Sequence, residues 1–338
     1  MILRGNMGIK INRLEYYHPD EKYSNNYFLK HFKERNVNIS GLLKTTGREN
    51  RYISTNPHEN SLTMAIMASI KVLEKAEISA DKINMIVHVS TTPEFLSPTN
   101  ALKVHKALMC NKNCILYDMN ANCSGMVVAF DQISRYMKSN SKVKYALIVA
   151  TDQLNRYSRE SEAITYSNFG ESACAMILEN DEDCCSDIID SEFYVDNTLS
   201  ECINFPPRGF SKFLPNDKSV KKDDRIIEWI DFDSNDAFLS AVSSIEEVLK
   251  RNNLKREDIS LYCISQFAKA NIDIIRKELN EPECKFPFVG DEFGYTGVNS
   301  PFMVLAKSIS GQSIKRGDFV ILWTCGAGVL APCVLLKY

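Results

Sequence analysis

The sequence predicts an α/β fold built twice over, from two kinds of observation. The strand-like segments MIVHV, YALIVA and DFVILW are continuous apolar runs rather than alternating ones. Such strands are covered on both faces, as in a layered α/β protein. The second observation is an internal repeat. Val72 to Ser90 (VLEKAEISADKINMIVHVS) and Val248 to Gln266 (VLKRNNLKREDISLYCISQ) share one pattern: the end of an amphipathic helix, a polar turn, then an apolar strand. Ile83 lines up with Ile259, an offset of 176 residues, and Tyr145–Thr151 lines up with Phe319–Cys325 at an offset of 174. Apolar helices, Met126–Met137 and Pro301–Ile309, precede the second pair. Two matches at nearly one offset predict halves of residues 1–178 and 179–338, related by a pseudo-two-fold axis.

The remaining elements follow in chain order. Cys114–Tyr117 reads as a strand, and DMNANCSG, from Asp118 to Gly125, links it to the apolar helix after it. Gly328–Leu336 reads as a buried strand interrupted by Pro332. Asn204–Asp236, with Pro206-Pro207 and the charged run Lys218–Arg225, reads as a surface loop near a pocket entrance. Its Lys212, Lys221, Lys222 and Arg225 are candidate contacts for phosphates or an acidic carrier.

Composition narrows the function. A net charge of −3 argues against nucleic acid as partner. No apolar run approaches the roughly 18 residues of a membrane span. MILRGNMGIK lacks a signal-peptide core, and 11 cysteines without such a signal point to a reduced, cytoplasmic protein rather than a disulfide framework. Zinc-ligand spacings are missing, and adjacent Cys184 and Cys185 are poorly placed as ligands, so no metal is expected.

In layered α/β folds, ligands gather where strands end and helices begin. Cys123 falls at such a junction. Unpaired N–H groups and the helix dipole there are expected to lower the thiol pKa and make the thiolate a nucleophile. His88, inside an apolar strand and matched by Ile264 in the repeat, reads as a core histidine.

DMNANCSGMVVAF resembles the nucleophile segment of ketoacyl synthase III enzymes and their thiolase-fold relatives. The resemblance continues through TGRENRY (Thr46–Tyr52), TPEFLSP (Thr92–Pro98), FGESACA (Phe169–Ala175) and CGAG (Cys325–Gly328). It implies a thiolase-like duplicated fold, five-layered α-β-α-β-α, and a homodimer or a heterodimer with a homologue. It further implies acylation of Cys123 by a thioester of coenzyme A or acyl carrier protein, with no tightly bound cofactor. The Cys123 and Ala327 backbone amides would form the oxyanion hole, Arg48 and Arg51 would meet the phosphate end, and Asn271 would contact substrate. Phe95 and Leu96, in the loop that often comes from the dimer partner, would cap the acyl pocket.

The family pattern also has a His and an Asn from the second half, which hold the carbonyl of a malonyl thioester during decarboxylation. No histidine follows Cys123 here. The His-containing motif corresponds to Ser265–Asn271, with either Ser265-Gln266 or Ala268-Lys269 at the His position; the repeat favours Ser265. Tyr295 takes the Asn position. Tyr295, Ser265 and Lys269 are therefore the candidate helpers. The expected function is acyl transfer through Cys123 to an acceptor, in fatty-acid-like or specialised-metabolite biosynthesis. The alternatives are a decarboxylating condensing enzyme with a rebuilt site, and a silent partner subunit of an active homologue.

Overall fold

The computed structural model describes residues 8–181, 186–212 and 226–338. In chain order the first elements are β1 (Gly8–Tyr17), β2 (Lys22–Ser24), α1 (Asn25–Lys33), α2 (Ser40–Thr46), β3 (Asn50–Tyr52), α3 (Ser61–Ala76), β4 (Met85–Val89), α4 (Asn100–Leu108), β5 (Ile115–Met119), α5 (Gly125–Ser139), β6 (Tyr145–Asp152), α6 (Ala163–Asn168) and β7 (Ser172–Asp181). There follow β8 (Asp187–Val195), β9 (Ile203–Asn204), β10 (Glu228–Trp229), α7 (Asn235–Arg251), β11 (Ile259–Ile264), α8 (Lys269–Glu278), α9 (Gly290–Phe293), α10 (Ser300–Ser310), β12 (Phe319–Trp323) and β13 (Leu330–Lys337).

Two mixed sheets carry the fold, in the orders β1-β7-β6-β4-β5 and β11-β12-β13-β8. The repeat seen in the sequence reappears in their pairing. β4 runs parallel to β6 and β6 antiparallel to β7; β11 runs parallel to β12 and β12 antiparallel to β13. The outer strands β1 and β8 complete each set in antiparallel pairing. The first sheet adds β5 beyond β4.

The apolar runs form strands because both of their faces are covered. All five residues of β4 are buried, as are all of β6 after Tyr145. Between the sheets lie α5 and α10, whose Phe130, Ile133, Phe302 and Leu305 join the central core. α3 and α4 cover the outer face of the first sheet, and α7 and α8 that of the second. The result is the five-layered thiolase-like order. Helix starts are locally encoded: Asn60 and Thr63 form a reciprocal capping box at α3, and Pro301 sits in the first turn of α10. Pro332 lies inside β13 opposite Phe193 rather than breaking the strand.

His88 is fully buried in β4 with neither ring nitrogen hydrogen-bonded, and burial pulls its pKa down to about 4. It is a neutral imidazole in the core.

Candidate active site

Cys123 lies on the turn between β5 and α5, after Asn122 in the left-handed region (φ 53°). A Cβ on Gly125 would stand 2.5 Å from Val89 Cγ1 and 3.0 Å from Val298 Cγ2, so only glycine lets the helix start this close to the sheet. The turn is laced to the glycine-rich turn before β13. Asn122 Nδ2 donates to Ala327 O (3.0 Å), Ser124 Oγ to Leu330 O (2.6 Å), and Thr324 Oγ1 to Cys123 O (3.4 Å). Between them the Ala327 N–H forms no hydrogen bond among the described residues.

The two turns frame a cavity of about 160 Å³. Cys123, Ser265, Tyr295, Thr91, Thr92, Asn120 and Asn122 are among its polar residues, and Leu154, Phe169, Ile203, Ile227, Trp229 and Phe267 form much of its apolar wall. No histidine, lysine, arginine or carboxylate lines it among the described residues. The Tyr295 ring packs against Cys123, and its hydroxyl faces the Cys123 thiol and Ser265 closely enough to influence the ionisation of the thiol. Tyr295 is itself clamped by its backbone, its N–H donating to Asn168 O (2.9 Å) and its carbonyl accepting from Gly170 N (3.0 Å).

The expectation of a depressed thiol pKa is overturned. Burial pushes the Cys123 thiol up to about 12, against the influence of the Tyr295 hydroxyl and the Cys123 backbone N–H, and the Asp152 carboxylate adds to the rise. Cys123 is partly accessible, yet it packs against the apolar cluster of Leu154, Phe169, Ile227 and Tyr295. The helix mouth gives little help, because the Ser124 and Gly125 amides already bond to the Ala121 and Asn122 carbonyls. Cys325, in the same cavity, is likewise raised to about 12 by burial.

The structure brings Cys123, Ala327, Ser265 and Tyr295 together, and it separates the others. Lys269 Nζ pairs with Glu283 (3.2 Å) and Asp273 (3.6 Å) at the start of α8, outside the cavity, which removes it as a base. Asn271 lies on the same helix and does not line the cavity. Arg48 and Arg51 are buried, not presented to a phosphate. Arg48 donates to Asn168 Oδ1 (2.5 Å) and to the carbonyls of Gln266 and Phe267, and Arg51 to Ser167 O and Asn25 Oδ1 (2.6 Å each). Buried guanidiniums that donate to carbonyls act as cross-links between segments, here with Arg48 Nη1 and Arg51 Nη2 left without a hydrogen-bond partner among the described residues. Arg48 thereby joins the loop after β11 to Asn168, which also holds Tyr295. Phe95 and Leu96 are exposed, Leu96 by 67%, and lie outside the cavity of the single chain. The run Lys218–Arg225, the Lys212 side chain, Cys184 and Cys185 lie outside the described residues.

One residue that sequence reasoning missed is Asp152, at the end of β6. Its Oδ1 accepts from Thr91 N (2.7 Å), Thr91 Oγ1 (2.8 Å), Ser90 Oγ (3.1 Å) and Thr92 N (3.2 Å), and Oδ2 accepts from Val298 N (3.1 Å). Burial raises its pKa against all these donors. It fixes the loop that carries Thr91 and Thr92 to the cavity. Its signal was a polar pair, Thr151-Asp152, ending a long apolar run.

Among the described residues there is no cluster of His, Cys, Asp and Glu suited to a metal, and no helix is long and apolar enough to cross a membrane.

Comparison with known proteins agrees with this fold. Residues 117–197 match the family model "3-Oxoacyl-[acyl-carrier-protein (ACP)] synthase III", and residues 249–338 match the model of its C-terminal part. The chain is similar to a beta-ketoacyl-[acyl-carrier-protein] synthase III of Wolbachia pipientis subsp. Culex pipiens (strain wPip): 30% identical over 308 residues, 89% of this chain and 91% of that one. Among solved structures it resembles the 3-oxoacyl-[acyl-carrier-protein] synthase III of Aquifex aeolicus VF5. The TM-score is 0.83 at 25% identity, over 98% of this chain and 100% of that one. Xanthomonas campestris OleA, in structures with bound lauric acid and lauroyl-CoA, shares the fold at 16% identity (TM-score 0.82, 98% and 99% covered).

Proposed function

The chain belongs to the 3-oxoacyl-acyl-carrier-protein synthase III family of acyltransferases, and from that premise we propose that it carries acyl groups on Cys123. The donor is an acyl thioester of coenzyme A or acyl carrier protein. The observation that supports this reading most directly is the Cys123 sulfur packed against Tyr295 in the cavity, beside an Ala327 amide with no partner among the described residues. The Cys123 sulfur attacks the thioester carbonyl as its proton is lost to solvent in the open cavity, which returns one to the departing thiolate. The oxyanion that forms is met by the Cys123 and Ala327 N–H groups. Collapse breaks the donor's carbon–sulfur bond, and the departing thiolate takes a proton. The acyl group then passes to an acceptor nucleophile, restoring the thiol.

Ser265 and Tyr295 are read as standing in the positions of the family's His and Asn. An imidazole and an amide donor are then missing from the decarboxylation step, each worth about 3–4 kcal/mol where such donors have been removed elsewhere. Among the described residues the cavity wall also offers no cation to a malonyl carboxylate. Transfer without decarboxylation asks less of this site. The placing of Ser265 and Tyr295 together in the cavity with Cys123 favours a second reading, a rebuilt condensing site in which the phenol holds the thioester carbonyl. Carbon dioxide release from malonyl thioester, lost on Tyr295→Phe, distinguishes it.

Two copies are proposed to pair, with the exposed Phe95 and Leu96 and the edge strand β5 as the surface that supports pairing. The two repeat halves, 1–178 and 179–338, are proposed as its domains, and cytoplasmic fatty-acid-like or specialised-metabolite biosynthesis as its setting. Intact-protein mass spectrometry after incubation with a panel of acyl-CoA and acyl-carrier thioesters tests the central step. An acyl adduct that disappears in Cys123→Ala is expected. A folded protein that takes no adduct from any donor overturns the reading.

A further inference from the structure

Five aromatic rings run along the cavity in unbroken contact. Phe169 meets Tyr295 at 5.9 Å between ring centroids, and Tyr295 meets Phe267 edge-on at 5.2 Å and 85°. Phe267 stacks on Trp229 at 5.7 Å with only 4° between planes, and Trp229 meets Phe232 at 5.7 Å. The inner end of this track, Tyr295, packs against Cys123, and its outer end, Phe232, is half-buried. The ribbon β9–β10 holds Trp229 in place, opposite Ile203, with Ile227 N bonded to Tyr157 O (2.7 Å) and Ile230 N to Cys202 O (2.8 Å). All five rings line the cavity.

We propose that the acyl group taken up here is a compact aryl acyl group, of the benzoyl or phenylacetyl kind, with its ring against Phe267 and Trp229. The proposal rests on the acyl-transfer reading and names its substrate class. Size supports it, because the cavity of about 160 Å³ is close to the ~150 Å³ apolar cavity that encloses benzene in another protein. Shape supports it too. Flat ring faces gain from an added ring beyond what buried area alone supplies. A flexible aliphatic chain of equal volume loses more torsional freedom on entering. A long straight chain exceeds this volume and has to leave through the cavity mouth.

Binding separates this proposal from the chemistry. The chain has two tryptophans, and Trp323 is fully buried in β12, so cavity ligands are read by Trp229 emission. Cys123→Ala is titrated with benzoyl-CoA, hexanoyl-CoA and dodecanoyl-CoA, with Trp229→Phe assigning the signal. Benzoyl-CoA is expected to bind about three- to tenfold tighter than hexanoyl-CoA, with dodecanoyl-CoA weakest. Phe267→Leu should bring the first two close to parity. Protection of wild-type Cys123 from iodoacetamide should follow the same order, which keeps the test valid if the alanine variant does not fold. Equal or tighter binding of either aliphatic thioester, or no response to any of the three, overturns the aryl proposal. Wild-type loading by hexanoyl or dodecanoyl but not benzoyl thioester overturns it while leaving acyl transfer standing. Aryl binding in the expected order with no adduct on the wild-type sulfur overturns acyl transfer and leaves the aryl site.

Discussion

The fold makes the same helix mouth twice and treats the two in opposite ways. α5 and α10 both start beneath the ends of a parallel strand pair, β4/β6 for one and β11/β12 for the other. At the mouth of α10 the Val298 amide is closed off by the Asp152 carboxylate. At the mouth of α5, Cys123 faces a cavity whose other wall is built from the second half: Ser265, Tyr295 and Cys325. The strand ends differ in charge as well. Asp152 and Glu171, two buried carboxylates, sit at the ends of the first sheet's strands, whereas Ser265, Gln266 and Thr324 end those of the second. Side-chain choice thus fills one mouth with structural hydrogen bonds and leaves the other facing a cavity.

The most severe way to break this contrast is to empty the open mouth. Cys123→Ala should abolish acyl loading entirely, read as loss of the mass adduct, while thermal unfolding stays close to that of the parent. Emptying the closed mouth should do the reverse. Asp152→Ala leaves buried donors on Ser90, Thr91, Thr92 and Val298 without their acceptor. Each such group costs about 1–3 kcal/mol, so a loss of about 3–4 kcal/mol in urea unfolding is expected after partial relaxation.

The charge difference gives a prediction in pH. Burial raises the Glu171 carboxyl from 4.5 to about 7, against bonds from Ser54 N and Gln153. A carboxyl with a raised folded pKa binds its proton more tightly folded than unfolded. Stability is therefore greatest below about pH 4.5 for this group and declines as pH rises through 7, by up to about 3 kcal/mol. Glu171→Gln should flatten that part of the stability–pH curve. A decline unchanged in the variant would assign it to another group.

Much of the frame was legible in the sequence, because continuous apolar runs and a 174–176 residue offset depend only on chain order. The turn at Cys123 was legible for the same reason: it interrupts the pattern between a strand and a helix. The thiol's pKa was not, since it depends on Leu154, Phe169, Ile227 and Tyr295 closing around it from distant segments. Arg48 and Arg51 misled by residue type. A guanidinium is expected at the surface, and nothing local shows that the carbonyls of Ser167, Gln266 and Phe267 receive these two. Lys269 misled by position, its partner Glu283 lying in the segment beyond α8.

The smallest expected effect tests what the open mouth gains from its far wall. With the thiol near 12, its alkylation by iodoacetamide should rise about tenfold per pH unit from 7 to 10 without a plateau. Tyr295→Phe removes a donor that favours the thiolate, so the folded pKa rises further and alkylation at any fixed pH should fall by about tenfold, the equivalent of ~1.4 kcal/mol. Ser265→Ala, one bond further from the sulfur, should cost less. If the phenol only fills space, Tyr295→Phe leaves the rate unchanged at every pH, because the ring and its packing against Phe169 and Phe267 persist. The open mouth would then owe its reactivity to the first half alone, and the second half would supply a wall rather than a helper.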